Sequence, residues 1–188
     1  MPPKTKFTRS DIVEAAFDIA RAEGLSAITA RKVADRLKSS VAPIYVNFKD
    51  LEELTGAVVA RTFEVSGELL AQQNSGSPFQ DIGRASLRFA REYPVLFRDI
   101  LMNPSIHTAG SDEQMVQIVV AQMKADPDLA GLSDAALQEL LLKLRIFQTG
   151  LSVAVAGGFF GSALSDELAE RLLDDAAYDF VSAARSRQ

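Results

Sequence analysis

Helix-start signals recur along this chain, each at the head of a run whose apolar residues repeat every three or four positions. Nowhere do apolar and polar residues alternate with the period of two that a half-buried strand requires. Thr8 followed by Asp11 is a capping box, Phe7 and Ile12 stand where a hydrophobic staple would join them, and Ile12, Ala15, Ala16, Ile19 and Ala20 share one face. Gly24 supplies the left-handed residue that ends this first helix. Thr29 caps a second, with Val33, Ala34 and Leu37 inward, and Lys38-Ser39-Ser40 turns into a third over about 41–47. With Ser39 or Ser40 as its cap, Pro43 falls at N3 or N4, where its missing N–H is an orphan or nearly so. Asp50 with Glu53 opens a fourth helix that reaches the Gln72-Gln73-Asn74-Ser75-Gly76 break, and Ser77-Pro78 opens a fifth that stops before Pro94. A short helix over about 95–102, a loop with Pro104 and His107, a helix over about 112–125, one from Ser133 to Gly157-Gly158 and one from Ser165 to about Ala184 complete the chain. The expectation is an all-α fold of about nine helices.

Charge is divided unevenly. Residues 1–49 hold nine Lys/Arg against five Asp/Glu, whereas the rest of this 188-residue chain is acidic enough to bring the net charge to −5. An acidic protein does not attract nucleic acid through its overall field, so only the basic N-terminal quarter is suited to face phosphates. A hydrophobic content of 47% supports a buried core and argues against disorder. The absence of cysteine excludes disulfides and thiolate chemistry and fits a reducing cytoplasm, and Met-Pro-Pro-Lys-Thr-Lys at the start lacks the apolar core of a signal peptide. The longest uncharged run, 146–165, contains Gln148, Thr149, three serines and four glycines, so it reads as a buried interface helix rather than a membrane span. Cytoplasmic localisation, with no membrane partner, is expected.

Residues 29–54 carry the strongest functional signal, because two short helices joined by a tight polar turn are what places one helix in the DNA major groove. The pair Ile44-Tyr45, then Phe48, Lys49-Asp50 and Glu52-Glu53-Leu54, closely resembles the DNA-binding signature of the tetracycline-repressor (TetR) family of transcription regulators. The segment from Phe89 to Leu101, with Tyr93-Pro94 followed by Leu96, Phe97, Ile100 and Leu101, resembles a corner common in that family's C-terminal domains. Against the family pattern, Lys38 stands where a turn glycine is usual, Ser39 replaces an apolar residue, and Leu51 replaces a phosphate-holding lysine. The resemblance implies a three-helix helix-turn-helix domain at 1–50 and a helical effector-binding and dimerisation domain at 51–188. It implies a DNA-binding regulator, a repressor released from a partly palindromic duplex operator by a small, mainly apolar effector, with no catalytic activity, cofactor or metal.

The expected groove-facing residues, Ser40, Val41, Ala42, Pro43, Val46 and Asn47, with Ser39 in the turn before them, present mostly methyl groups, which suit the C5-methyl of thymine better than a guanine edge. Arg31 is the candidate polar base contact, while Thr29, Lys32, Tyr45, Asn47 and Lys49 suit phosphates. The alternatives are a core aromatic for Tyr45 and a solvated helix face for Arg31 and Lys32.

The 133–158 helix carries two apolar rows, one through Leu137, Leu141, Leu144, Leu151 and Val155 and another through Leu140, Phe147 and Ala154. It needs cover on two sides. In the family, that helix and the next form a four-helix dimer interface, here Leu144, Gln148, Leu151, Val155, Leu168, Leu172, Ala176 and Phe180; periodicity alone allows both rows to be internal core. Phe63, Phe89, Tyr93, Phe97, Leu101, Met115, Val119, Met123, Phe147 and Leu151 are candidates either for a cavity accepting an apolar effector or for plain core. Arg84, Arg88 and Arg91 stripe one helix, facing either an anion or solvent. His107 is the sole histidine, without partners for a metal site or a triad. The rival reading keeps the DNA-binding dimer but replaces the effector by a protein partner, as in nucleoid or division control.

Overall fold

The computed structural model describes residues 7–75, 78–102, 117, 119–121, 123–124, 126 and 129–187. Among them there are α-helices and short 3₁₀ turns and no strand. The helices are α1 (Arg9–Glu23), α2 (Ala30–Arg36), α3 (Ala42–Asn47), α4 (Leu51–Ala71), α5 (Pro78–Glu92), α6 (Pro94–Met102), α7 (Asp134–Gly157) and α8 (Asp166–Arg185), with further helical residues between 117 and 124. The expected cap Ser77, the loop with Pro104 and His107, and most of the expected 112–125 helix lie outside the described residues.

Local chemistry explains most of these boundaries. Thr8 and Asp11 form the full capping box, and the side chains of Thr29, Ser133 and Ser165 accept N–H bonds from Lys32, Ala136 and Leu168. Asp11 titrates below the usual carboxylate range because it accepts the Thr8 N–H and then the Thr8 hydroxyl. Gly24 closes α1 with φ 97° and ψ 162°, a glycine conformation other than the expected left-handed helical one. A Cβ there would also meet Asp99 Oδ2 at 2.9 Å.

The contacts form two units, one of Met1–Gly67 with Tyr93–His107 and one of Glu68–Glu92 with Thr108–Gln188. The first therefore extends beyond the expected boundary at residue 50. It takes in most of α4 and, by a return of the chain, α6. The Asp99 carboxylate on α6 accepts the Leu25 N–H at 2.6 Å, and the rings of Phe17 and Tyr93 stand 6.1 Å apart. Ile12, Ala16, Ala20, Val33, Ile44, Leu54, Val58 and Leu96 are completely shielded from solvent.

In the second unit, Val119, Val120, Met123, Leu129, Leu132, Leu137, Leu140, Leu141 and Leu144 form one core, with Ile82, Ala177, Phe180 and Val181 against it. Phe147 meets Phe180 edge to face at 6.2 Å. By length and composition α7 is apolar enough to cross a membrane, but its Leu137-Leu141-Leu144 row is committed to this core. Gly83 of α5 lies so close to α8 that a Cβ would sit 3.0 Å from Leu173 Cδ2. The arginine stripe has neither expected role: Arg84 pairs with Asp174 at 2.6 Å, Arg91 with Asp166 at 2.9 Å, and Arg88 with Glu92 and Gln72. The bond to Asp174 raises the Arg84 pKa, so α5 is tied to the acidic side of α8.

Between α2 and α3, Lys38 has φ 51°, the only positive φ outside glycine among the described residues. An L side chain in that region costs about 1 kcal/mol. Lys38→Gly should therefore stabilise the chain by roughly 0.5–1 kcal/mol, read as a higher urea midpoint at unchanged slope. An unchanged or lower midpoint would show that the turn carries no such strain.

Candidate nucleic-acid interface

A helix of six residues is too short to persist alone, so α3 is defined by what anchors it. Ile44 (0% exposed) and Phe48 (2%) are its inward side chains. Val41, Ala42, Tyr45 and Val46 are exposed, Tyr45 at 54% and Val46 at 69%. That disposition removes the reading of Tyr45 as a core aromatic and leaves an apolar surface at solvent on the most basic part of the chain.

The entry to α3 differs from expectation. Val41, in helical conformation and without a side-chain capping bond, is the N-cap, and Pro43 consequently sits at N2. Neither Ser39 nor Ser40 is the cap, and the Ser39 hydroxyl instead donates to the Ser40 carbonyl at 2.9 Å within the turn. At N2, as at N3, the N–H would have no intrahelical acceptor, so Pro43 removes no helix bond here.

The remaining expected DNA contacts fall into two groups. Thr29, Arg31, Ser40 and Lys49 are exposed, and no ion pair among the described residues engages Arg31, Lys38 or Lys49. By contrast, Lys32 is paired with Glu23 at 2.6 Å, and the half-buried Asn47 donates its amide to the Pro43 carbonyl at 2.8 Å, one turn back in its own helix. Ser39 and Pro43 are half-buried. The polar surface is thus narrower than the sequence suggested, and Arg31 and Lys49 are its strongest cations.

A further pair went unnoticed in the sequence. Arg9 Nη1 donates to the Asn47 carbonyl at 2.6 Å and Nη2 to Glu53 at 2.8 Å, while the guanidinium carbon lies 4.0 Å from the centroid of the Phe48 ring. From the sequence Glu53 is a capping residue and part of the family signature, with no expected partner in α1. Its other oxygen accepts the Lys49 N–H at 2.8 Å, and its own N–H bonds to Asp50. The Lys49 N–H first, and then Arg9, hold the Glu53 carboxyl below its ordinary pKa. The stability this contributes is present at neutral pH and is lost as the pH falls through that lowered value. The one signal available in the sequence was a cation at the first residue of α1, the end where the helix dipole favours an anion.

The expected effector residues are dispersed in character. Phe89, Val119 and Met123 are buried, Tyr93, Phe97, Phe147 and Leu151 are half-buried, Phe63 and Leu101 are exposed, and Met115 lies outside the described residues. A cavity of about 190 Å³ in the second unit shares only Met123 with that set; its floor includes Leu129, Leu140 and Leu144 and its rim Gln80, Tyr178 and Arg185. Of the expected interface residues, Leu144 is buried in the chain's own core and Phe180 packs against it. Gln148, Leu151, Val155, Leu168 and Ala176 are half-buried, and Leu172 is 37% exposed. The outward side of α7 instead carries Leu142 and Ile146, with Phe159 and Phe160 exposed just beyond its end.

Replacing thymine by uracil removes only the C5-methyl, so a duplex that the chain binds should lose affinity at positions facing Val41, Ala42 or Val46. Equal affinity for fully uracil-substituted duplex would show that these side chains do not read thymine.

No protein-family model and no curated protein sequence matches the chain. Solved structures do. A TetR-like transcriptional regulator from Rhodococcus sp. RHA1 is 16% identical, with a TM-score of 0.68 over 92% of this chain and 94% of that one. A TetR regulator from Streptomyces coelicolor is likewise 16% identical, at 0.68 over 96% and 98%. The repressor of the Stenotrophomonas maltophilia multidrug efflux pump SmeDEF is 18% identical, at 0.55 over 95% and 91%. The chain has the fold of the TetR-family transcriptional regulators.

Proposed function

We propose that this chain is a DNA-binding transcriptional regulator of the TetR kind, a homodimer that represses from a partly palindromic duplex operator and is released by a small, mainly apolar effector. The observation that carries the reading is the exposed face of α3, Val41, Ala42, Tyr45 and Val46, together with the exposed Arg31 and Lys49 of the same basic segment in an otherwise acidic chain. Methyl groups and a phenol at solvent are costly on a surface with no partner, and a major groove supplies thymine methyls and phosphates for them. Lys49 and Tyr45 fix register on the backbone, and Arg31 reads a base edge.

Gel-shift titration of variants tests this. Lys49→Ala and Tyr45→Ala should weaken binding to all duplexes alike, whereas Arg31→Ala should also relax preference at one base pair by about 1–3 kcal/mol. Unchanged affinity in the Lys49→Ala/Tyr45→Ala double variant would remove the assignment.

For the dimer, the surface now favoured is the outward side of α7 at Leu142 and Ile146, together with Leu168 and Leu172 of α8. Ile146→Glu places a carboxylate on a residue that is 65% exposed in the single chain, so the fold should survive while dimerisation is lost. Light scattering should give a dimer for the wild type and a folded monomer for the variant; a wild-type monomer at micromolar concentration would refute the proposal.

Effector release is supported by the apolar character of the second unit. The alternative, an effector-independent dimer acting through a protein partner, draws on the small cavity volume, about 190 Å³ where pockets for drug-sized ligands span roughly 300–1,000 Å³.

A further inference from the structure

We propose that Arg9 and Glu53 form a latch that fixes the orientation of α3 on the protein, making Arg9 a positioning residue for DNA reading rather than a DNA contact; the inference rests on α3 being the groove-facing helix. Three chain segments meet at this guanidinium: the first residue of α1, the last residue of α3 and the third residue of α4. One nitrogen of Arg9 takes the Asn47 carbonyl, a group that a helix C-terminus leaves without an intrahelical donor, and the other takes Glu53. The plane of charge lies over Phe48, the residue that ends α3. Glu53 in turn holds the Lys49 N–H, so both sides of the α3–α4 junction are bonded to one carboxylate.

Burial of Ile44 and Phe48 keeps α3 on the protein but resists rotation about that apolar contact only weakly, because hydrophobic burial is not directional. Hydrogen bonds at fixed angles supply the missing restraint. Arg9 stands at the dipole-disfavoured end of its own helix, a local conflict that its three partners in α3, at Phe48 and in α4 offset.

The sign of one substitution separates positioning from contact. Removing a carboxylate near DNA relieves repulsion and, on electrostatics alone, strengthens binding. If Glu53 works through Arg9, Glu53→Gln instead weakens it. Glutamine keeps an oxygen acceptor for the Lys49 N–H, so the α4 start is retained while the ionic link is lost.

The experiment uses the full chain and a duplex of about 30 base pairs, three helical turns, enriched by the wild type from a random-sequence pool. Affinity is titrated over a range of salt for wild type, Arg9→Ala, Arg9→Lys, Glu53→Gln, the Arg9→Ala/Glu53→Gln double variant and Lys49→Ala, at a temperature where circular dichroism shows each one folded. The latch requires Arg9→Ala and Glu53→Gln each to weaken binding about 2- to 10-fold. It also requires the double variant to be no weaker than the worse single one, Arg9→Lys to recover part of the loss, and the salt slope to stay at the wild-type value. Lys49→Ala should lower that slope by about one. If Arg9→Ala weakens binding with a slope lower by about one while Glu53→Gln binds equally or more tightly, Arg9 is a phosphate contact and the latch is wrong. Unchanged affinity in both single variants overturns it as well. Should Arg9→Ala melt below the assay temperature, the sign of Glu53→Gln decides. A wild type that enriches no duplex removes the DNA-binding reading and this inference with it, whereas enrichment with a normal Lys49→Ala effect confines any failure to the latch.

Discussion

Burial of Ile44 and Phe48 is the contact on which the candidate interface depends. The helix that carries them has six residues, fewer than a stable isolated helix needs by a factor of two or more, and its N-cap makes no side-chain bond. Its existence is therefore a tertiary effect. Two side chains shielded to 0% and 2% remove roughly 4 kcal/mol worth of apolar surface from water, an upper estimate but of the right size to hold one and a half turns of helix in place. The same geometry dictates the outward face, since residues beside Ile44 in sequence point away from it. Tyr45 and Val46 are exposed because Ile44 is not.

Electrostatics then select which cations remain for a partner. Much of the positive charge of the N-terminal segment is committed internally: Arg36 and Arg21 to Asp18, Lys32 to Glu23 and Arg9 to Glu53. Pairs this exposed contribute little to stability, about 0–1 kcal/mol each, so they do not explain the fold. Their effect is on the field. Among the described residues of that segment, Arg31, Lys38 and Lys49 are the cations left without an ion pair, and all three are exposed. Asp166, Glu170 and Asp174 of α8, meanwhile, are drawn onto Arg84 and Arg91.

How much of this could be read beforehand follows from the range of each interaction. Thr8, Thr29, Ser133 and Ser165 were legible as caps because a cap bond spans three residues, and the outward Val41 and Val46 were legible because the spacing from Ile44 is local, whereas Tyr45 stayed open between core and surface. The internal use of Arg84 was not, since Asp174 lies 90 positions away. Nor was the return of α6 to the first unit, which depends on an Asp99 bond across 74 positions. The helix 133–158 shows the intermediate case. Its periodicity identified apolar rows, but which row meets the core is decided by neighbours, and Leu144 went inward while Leu142 and Ile146 stayed outside. Ser39 differs from its cap reading for a local reason: a serine hydroxyl has more than one backbone group within reach, and in the turn that of Ser39 took the adjacent carbonyl.

Position of Glu53 on α4 gives the Arg9 contact a mechanical meaning. The helix is continuous for 21 residues from Leu51 to Ala71, so a change of tilt anywhere along it moves its third residue. Moving Glu53 pulls on Arg9 and on the Lys49 N–H together, and through Arg9 on the last carbonyl of α3. In the effector release proposed above, a ligand need supply only its difference in affinity between two settings of α4, and couplings of about 1–3 kcal/mol are typical of allosteric systems. Exposed charge-assisted bonds, weakened by solvent screening, are well matched to so modest a coupling. A buried ion pair in their place would hold α3 as well but resist any effector, because breaking one costs roughly 3–5 kcal/mol. In the proposed regulator, solvent exposure of Arg9 and Glu53, 49% and 41% at the side chains, suits a contact that orients the helix and can also be released.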